Sequence, residues 1–262
     1  MQHYAHWCQF PSPPKKFDRK YMRHHSILEP DRDLVVWRYM PLNRFEDLIT
    51  TNEIHLSRLD QFRDAHEGYV PTREAVPSLV EVAAQRHAWA WRHVTFASCW
   101  HIFPHENALM WPSYGGASDG VVIRSTAGKL ADIATLLPNS YVAAVNYKPW
   151  PNPVPPGELR ELPTRKRPEF AAEAELRIIQ EDIDLLIIDD FPQLGVIPPT
   201  HWPISKMLSF AGLPLIDEIR CNPSAPSAFS DRVAGLVSAA NIDTPVSDSS
   251  LTPAPVWFDP GS

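Results

Sequence analysis

The alternation of apolar and polar positions predicts a strand, a helix and a second strand where the regular pattern begins. The apolar run at 34–39 and the alternating run at 54–57 are both typical of strands. Between them, the apolar positions recur with helical spacing, which predicts a helix over 43–51 with Asn43 as its N-cap.

The rest of the chain shows the same mixture of short elements. Strands are predicted over 93–100, 120–124, 141–147, 175–180, 183–188, 195–197, 215–221 and 244–246, and helices over 76–91, 108–111, 127–137 and from about 224 onward. In the last helix, one face carries Phe229, Val233, Leu236 and Val237. This mixture predicts an α+β fold, a central, mostly antiparallel, broken β-sheet with helices packed against it.

Proline content and composition bear on the domain organisation. The chain has 28 prolines against 10 glycines in 262 residues, which favours short strands and fixed loops over a helical bundle. Prolines are densest over 148–168, which predicts a rigid connection there. No internal repeat or composition break divides the remainder, so we expect one domain over 32–252, with a loosely ordered leader at 1–31 and a tail at 253–262.

Charge, hydropathy and cysteine usage argue against several classes of protein, although a local basic groove for nucleic acid stays possible. The formal net charge is −7, without the basic excess of a protein that binds nucleic acid mainly through phosphates. No apolar run reaches the roughly 18–20 residues that span a bilayer, so no membrane partner is expected. Cys8, Cys99 and Cys221 lie far apart, and the N-terminus lacks the apolar stretch of a signal peptide. These features predict a cytoplasmic protein without disulfides.

Two candidate functional residues lie within predicted strands. Arg38, next to Tyr39, ends an apolar strand, and its charge must reach solvent, an anion or an acidic partner. The alternative to an anion site is a salt bridge to Asp64 or Glu67. Ser98 either orients a catalytic group or packs with a satisfied hydroxyl.

The pair Glu173 and Glu175 is the most informative feature of the sequence. Two residues at i and i+2 of a strand point to the same face, and like charges so close raise each other's pKa. Either Lys166 and Arg177 neutralise the two carboxylates, or the pair serves acid, base or cation-stabilising chemistry.

Aromatic and metal-binding residue types form two further groups. Trp111 and Tyr114 lie beside the glycines at 115–116, which suits a flat surface for a ring ligand; the alternative is a buried hydrophobic plug. Imidazoles and a thiol are frequent over 87–105, and His93, Cys99 and His101 would share one strand face. None of the recurrent zinc spacings is present, so no metal is expected.

An ordered set of motifs resembles the bacterial family numbered 2971 among the domains of unknown function. The matching stretches are Val36–Tyr39, Ile54–Ser57, Gln61–Gly68, Ser98–Trp100, Leu109–Tyr114, Gly120–Ile123, Glu173–Ile178 and Ile216–Pro223, within about 33–250. Arg63 replaces the Asn of the family's F-N-D-P-F-E-G motif, and Ala65 replaces its Pro. The resemblance implies a layout rather than a reaction, and these departures put any chemistry of that Asn in doubt.

The order of Arg38, Ser98 and the pair Glu173/Glu175 is similar to that of ADP-ribosyltransferases of the arginine–serine–glutamate type. The resemblance implies an ADP-ribosyltransferase-like sheet that binds NAD as substrate. It also implies that Arg38 clamps the pyrophosphate and that Ser98 holds the catalytic Glu175. The aromatic residues Tyr39, Tyr114 and Trp111 would then bind the nicotinamide end of NAD.

These expectations favour an NAD-consuming enzyme, either an ADP-ribosyltransferase or an NAD glycohydrolase, in a bacterial toxin or phage-defence system. Its partners would be the dinucleotide, a protein or nucleic-acid acceptor, and an antitoxin. The alternative is a non-catalytic binding or regulatory module whose polar residues are structural. The enzyme hypothesis requires Arg38, Ser98, Tyr114 and Glu175 to converge on one cleft.

Overall fold

A nine-stranded, mostly antiparallel sheet organises the part of the chain that the structure describes. The computed structural model describes residues 30–71, 78–116, 118–151, 154–185 and 198–251. Helices pack against both faces of the sheet, so the predicted α+β class is confirmed. The predicted leader and tail lie outside the described residues, apart from positions 30 and 31.

The helices and strands are short, as the proline content predicts. The strands are β1 Val35–Pro41, β2 Glu53–Arg58, β3 Thr95–Ile102, β4 Gly120–Thr126, β5 Ser140–Ala144, β6 Glu175–Glu181, β7 Ser205–Ser209, β8 Glu218–Cys221 and β9 Val246–Asp248. The α-helices are α1 Leu42–Thr51, α2 Leu79–Val94, α3 Met110–Tyr114, α4 Ala127–Ala134 and α5 Phe229–Ala239. Within the described residues, 3₁₀-helices cover Leu59–Gln61, Pro156–Thr164 and Pro168–Glu173.

Several predicted boundaries are wrong for identifiable local reasons. Helix α1 begins after Pro41, which makes no side-chain cap, and Asn43 lies inside the helix. Helix α2 is capped by Ser78 and continues to Val94, so His93 belongs to the helix and not to the following strand. Ser78 and Glu81 form a capping box, which sets this later start.

The strands predicted over 183–188 and 195–197 and the observed strand β7 show larger differences between prediction and structure. Residues 183–185 form a turn and the start of a helix instead of a strand, and 186–188 and 195–197 lie outside the described residues. The hydrophobic pattern predicts no strand over Ser205–Ser209, where β7 pairs with β2 at an edge of the sheet.

The centre of the sheet contains a fork that positions the candidate site. The strand order is β5-β6-β3-β1-β4-β8-β9, and β6 pairs with β3 along its length. On its other side β3 is shared: Trp37 of β1 pairs with His101, and Ser57 of β2 pairs with Ala97. Between these two ladders, Ser98–Trp100 has no partner in β1 or β2. We call the gap between β1 and β2 beside these three residues the fork.

The two faces of the sheet have different chemistry. One face, the core face, packs against α1, α4 and α5 in the main hydrophobic cluster, which includes Phe45, Ile123, Leu130, Ile178 and Val233. The other, the polar face, carries Glu175, Arg177 and His101 among smaller apolar clusters. Successive residues of a strand alternate between these faces, so the register assigns each candidate to one of them.

The proline-rich connection lies over the polar face. Its 3₁₀-helix Pro156–Thr164 contributes Leu159 and Leu162 to a buried cluster with Ala84 and Ala88 of α2. The carbonyl of Pro163 accepts a hydrogen bond from Arg177 on the sheet below. The connection therefore braces α2 against the sheet.

Candidate functional site

Five charged side chains meet on the polar face and form what we call the carboxylate cluster: Glu67, Lys166, Glu173, Glu175 and Arg177. Arg177 is 0% exposed, and its guanidinium donates to both oxygens of Glu67 at 2.9 and 3.0 Å and to Glu175 at 2.7 Å. Lys166 donates to Glu175 at 2.7 Å and also to Glu173. The cations named in the sequence analysis thus neutralise the acidic pair.

The reason that Glu173 and Glu175 come together differs from the prediction. Glu173 ends a 3₁₀-helix, and Ala174 follows in the left-handed region with φ 42°, so only Glu175 lies on the strand. Strand alternation therefore does not place them on one face. The ammonium group of Lys166, which donates to both, joins them instead.

Glu67 reaches the cluster from a tight turn. Gly68 follows it with φ +65°, and a Cβ at this glycine would lie 3.0 Å from the Cβ of Arg92. Only glycine adopts this conformation here without strain and without moving α2. The turn consequently fixes Glu67 beneath Arg177.

The carboxylate cluster shifts the pKa values of Glu173 and Glu175 in opposite directions. Burial alone would raise the pKa of Glu175, but the charge of Arg177, the hydrogen bond with Glu173 and the charge of Lys166 hold it well below its usual range. Burial and the hydrogen bond with Glu175 raise the pKa of Glu173. At neutral pH Glu175 is therefore ionised, whereas Glu173 keeps its proton to a higher pH than an ordinary glutamate.

Aromatic side chains adjoin the carboxylate cluster. His101 lies opposite Glu175 in the ladder, and its Nδ1 donates to the carbonyl of Glu173 at 2.8 Å. The hydroxyl of Tyr114 donates to the Glu173 carboxylate at 2.9 Å, and its ring lies 4.9 Å from that of His101. Tyr39 stands edge-on to His101 at 6.0 Å. Two predicted ring-binding residues, Tyr39 and Tyr114, thus flank one imidazole.

Trp111 has a structural environment. It is 3% exposed, stands edge-on to Tyr39 at 5.0 Å, and its indole nitrogen donates to Glu106 at 2.8 Å. Glu106 also accepts hydrogen bonds from Arg220 and from Ser250, which follows strand β9. This environment fits the alternative of a hydrophobic plug better than that of a ring-binding surface.

Arg38 lies on the core face, at the fork. It is directly opposite Ile123 of β4, donates to the carbonyl of His55 at 3.3 Å, and lies 5.6 Å above the ring of Trp100. The predicted salt bridges to Asp64 or Glu67 do not form, because Asp64 pairs with Arg167 and Glu67 with Arg177. Burial, with a contribution from the charge of Arg44, lowers the pKa of Arg38 to about 10.

Ser98 also lies on the core face. It is 2% exposed, opposite Ile178, and its hydroxyl has no hydrogen-bond partner among the described residues. The expected contact with Glu175 is therefore absent, since the two side chains extend from opposite faces of the sheet. The satisfied hydroxyl of the packing alternative is absent as well.

The carboxylate cluster on the polar face and Arg38 on the core face both influence the pKa of His101. Burial lowers the pKa of His101, and the positive charges of Lys166 and Arg38 lower it further. His101 thus responds both to the carboxylate cluster and to the arginine at the fork. The structure brings Glu173, Glu175, Tyr114 and Tyr39 together on the polar face, with Arg38 and Ser98 on the other side of β3.

The described residues offer neither a metal-binding group nor a membrane-crossing helix. Within the described ranges, no group of three or more His, Cys, Asp and Glu side chains is arranged to hold a metal ion. No helix among the same residues combines the length and the apolar character that crossing a membrane requires.

Comparison with known proteins gives distant structural matches alone. The sequence matches no protein-family model and no curated protein, so the resemblance to family 2971 stays a prediction. Solved structures of Thermus sp. 2.9 DarT match over most of both chains. The complex with NAD⁺ is 11% identical, with 84% of this chain and 97% of that chain covered and a TM-score of 0.38. The complex with ADP-ribosylated ssDNA is 9% identical, with 85% and 97% covered and a TM-score of 0.40. Structural likeness at such low TM-scores and identities does not establish a shared function.

Proposed function

We propose that this protein consumes NAD, cleaving the bond between nicotinamide and ribose as an ADP-ribosyltransferase or an NAD glycohydrolase. The observation that carries the proposal is the position of Glu175 on the polar face. This ionised glutamate lies opposite His101 and beside Glu173, to which the half-buried Tyr114 donates a hydrogen bond. The residue order that resembles arginine–serine–glutamate transferases supports the same activity.

The ionisation of Glu175 suits this chemistry. When the carbon–nitrogen bond to nicotinamide breaks, its electron pair leaves with neutral nicotinamide, and positive charge develops on the ribose. A carboxylate that stays ionised stabilises this oxocarbenium-like state. The lone pair of a water molecule or of an acceptor group then forms the new bond to the ribose carbon, and that nucleophile releases its proton.

The remaining roles follow from exposure and charge. Arg38 and Ser98, which the enzyme hypothesis required in the same cleft, extend from the opposite face of the sheet, so neither takes part in this site. Tyr114 is only half-buried beside Glu173 and would stack on the nicotinamide ring. Tyr39 would support that ring from below. The acceptor would be water, a protein or a nucleic acid, and a role in a toxin or defence system belongs to the same proposal.

The test is NAD turnover by the purified full chain, measured as released nicotinamide by chromatography, with protein and DNA acceptors supplied. The wild type is expected to release nicotinamide, and Glu175→Gln is expected to release none. Glu169→Gln is the matched control, because Glu169 is exposed on the adjacent 3₁₀-helix. Circular dichroism of each variant separates a lost fold from a lost activity. A folded wild type that leaves NAD intact with every acceptor would overturn the proposal.

A second candidate, a non-catalytic binding module, is favoured by one observation. Glu175 is 2% exposed, and its two oxygens are already held by Lys166 and Arg177. In a module of this kind the cluster would only stabilise the fold. Glu175→Gln would then lower the melting temperature, and neither it nor the wild type would release nicotinamide.

A further inference from the structure

We propose that Lys166 is an autoinhibitory residue, whose ammonium group occupies the position beside Glu175 that a cationic substrate enters and withdraws when that substrate binds. The inference rests on the proposed function, because it assigns a regulation to the same site. It predicts that removing the ammonium group activates the enzyme, whereas a merely structural ion pair predicts a loss of stability with no gain in activity.

The first observation is that a cation of the chain itself closes the ionised Glu175. One oxygen of this glutamate accepts a hydrogen bond from Lys166 at 2.7 Å and the other accepts one from Arg177 at 2.7 Å, and the residue is 2% exposed. A positive charge that develops on a ribose would meet the ammonium group of Lys166 before it reached the carboxylate. Like charges that close repel each other, so Glu175 stabilises such a state only after Lys166 has moved.

The second observation is that the surroundings of this ammonium group suit another cation. Lys166 contacts Glu173, lies 3.5 Å from Glu67, and has the ring of Phe170 4.7 Å from its nitrogen. Carboxylates and the faces of aromatic rings attract organic cations as well as ammonium groups. The nicotinamide ring of NAD carries a positive charge on its nitrogen, so it would compete with Lys166 for this position.

The two cations of the carboxylate cluster differ in how firmly they are held. Arg177 lies on β6 and is fixed by both oxygens of Glu67 and by the carbonyl of Pro163, in addition to Glu175. Lys166 reaches the cluster from the proline-rich connection, and its polar contacts are made by one group at the end of a flexible four-carbon stem. If Lys166 withdraws, Arg177 still pairs with two of the carboxylates, so the cluster stays assembled.

The chain on either side of Lys166 allows this withdrawal. The preceding Arg165 is buried and paired with two glutamates of the adjoining 3₁₀-helix, which anchors the connection. The following 3₁₀-helix, Pro168–Glu173, has no buried side chain. Segments with few buried contacts open at a low cost in free energy. Because Phe170 and Glu173 lie on this second helix, its outward movement would release Lys166 while the anchored part stays in place.

The first experiment compares NAD turnover by the wild type, Lys166→Met and Lys148→Met, measured as released nicotinamide over a range of NAD concentrations. Methionine keeps a long unbranched side chain without the charge. Lys166→Met should raise kcat/KM about tenfold, because one charged hydrogen bond no longer has to be broken before the reaction. Lys148, an exposed lysine of the same connection, is the matched control and should leave the kinetics unchanged. Circular dichroism checks that each variant is folded.

The second experiment uses the unaltered full-length protein and needs no turnover. Lysines are acetylated briefly, and the modification of Lys166 and Lys148 is read by mass spectrometry. The reagent attacks the neutral amine, so the paired Lys166 should react more slowly than the exposed Lys148. A nicotinamide methylated on its ring nitrogen, which is a cation without ribose, should speed the labelling of Lys166 several-fold and leave that of Lys148 unchanged. Neutral nicotinamide should speed neither.

The outcomes separate this inference from the proposed function. A wild type that turns over NAD as fast as a folded Lys166→Met would overturn the inference alone, and so would labelling of Lys166 that the methylated nicotinamide leaves unchanged. If the wild type and Lys166→Met both leave NAD intact, the proposed function fails and the inference fails with it.

Discussion

The guanidinium of Arg177 is fully buried and holds Glu67 on one side and Glu175 on the other. Burying three charges is costly, and their mutual attraction offsets that cost only when the set is complete. The carboxylate cluster is therefore sensitive to the loss of this single residue, whichever function the site has.

Arg177→Met tests this sensitivity. The substitution keeps a long apolar side chain but leaves Glu67 and Glu175 without their common partner, so we expect the free energy of unfolding to fall by about 3–5 kcal/mol. The measurement is urea denaturation at neutral pH, followed by circular dichroism.

Arg167→Gln is the control for this experiment. Arg167 pairs with Asp64 with its side chain 45% exposed, and exposed pairs contribute roughly 0–1 kcal/mol. Equal losses in Arg177→Met and Arg167→Gln would contradict the view that the buried cluster is a connected unit.

At the scale of elements, helix α2 holds the polar face in place. It carries Trp91, whose indole donates to Glu181 of β6 at 3.3 Å, and it packs against the proline-rich connection. Its first turn depends on the capping box, in which Ser78 accepts from the backbone of Glu81 and Glu81 accepts from Ser78. The cap therefore contributes to the stability of the polar face and of the proline-rich connection that packs against α2.

Ser78→Ala should lower the free energy of unfolding by about 1 kcal/mol, because the orphan N–H groups of the first helical turn lose their acceptor. Ser230 is a half-buried serine of α5 whose hydroxyl reaches the carbonyl of Ser227 at 3.5 Å, so Ser230→Ala should change stability by less than about 0.5 kcal/mol. Both values come from urea denaturation. A Ser78→Ala protein as stable as Ser230→Ala would mean that the start of α2 does not limit stability.

The same elements indicate what the sequence could predict. Strands β1, β3 and β6 carry continuous apolar or alternating patterns, and each was placed within about two residues, because that signal is local. The partnership of Lys166 and Arg177 with the acidic pair was also anticipated, since all four lie within 12 positions.

Non-local contacts were beyond the pattern analysis. Glu67 joins Arg177 from 110 residues away, and it had been considered only as a partner for Arg38. The fork arises because β1 and β2 both pair with β3, which no window of the sequence encodes. Only the observed register shows that Arg38 and Ser98 extend away from Glu175.

At the scale of the whole molecule, buried and half-buried histidines make the fold sensitive to acid. Burial lowers the pKa of His55, His87, His93 and His101. Between the folded pKa and the unfolded value of about 6.5, the unfolded chain binds more protons than the folded one. The stability that depends on these neutral imidazoles is present above about pH 6.5 and is lost as the pH falls through that value.

His101→Gln isolates one of these contributions. Glutamine can still donate to the carbonyl of Glu173 but cannot gain a proton, so the fall in unfolding free energy between pH 7 and pH 5 should be smaller than in the wild type. Glu173 and Glu181, whose raised pKa values act in the opposite direction, are present in both proteins and cancel in this comparison. Identical pH profiles for the wild type and His101→Gln would mean that protonation of His101 does not lower the free energy of unfolding. They would also mean that Arg38 and the carboxylate cluster do not jointly lower the pKa of His101.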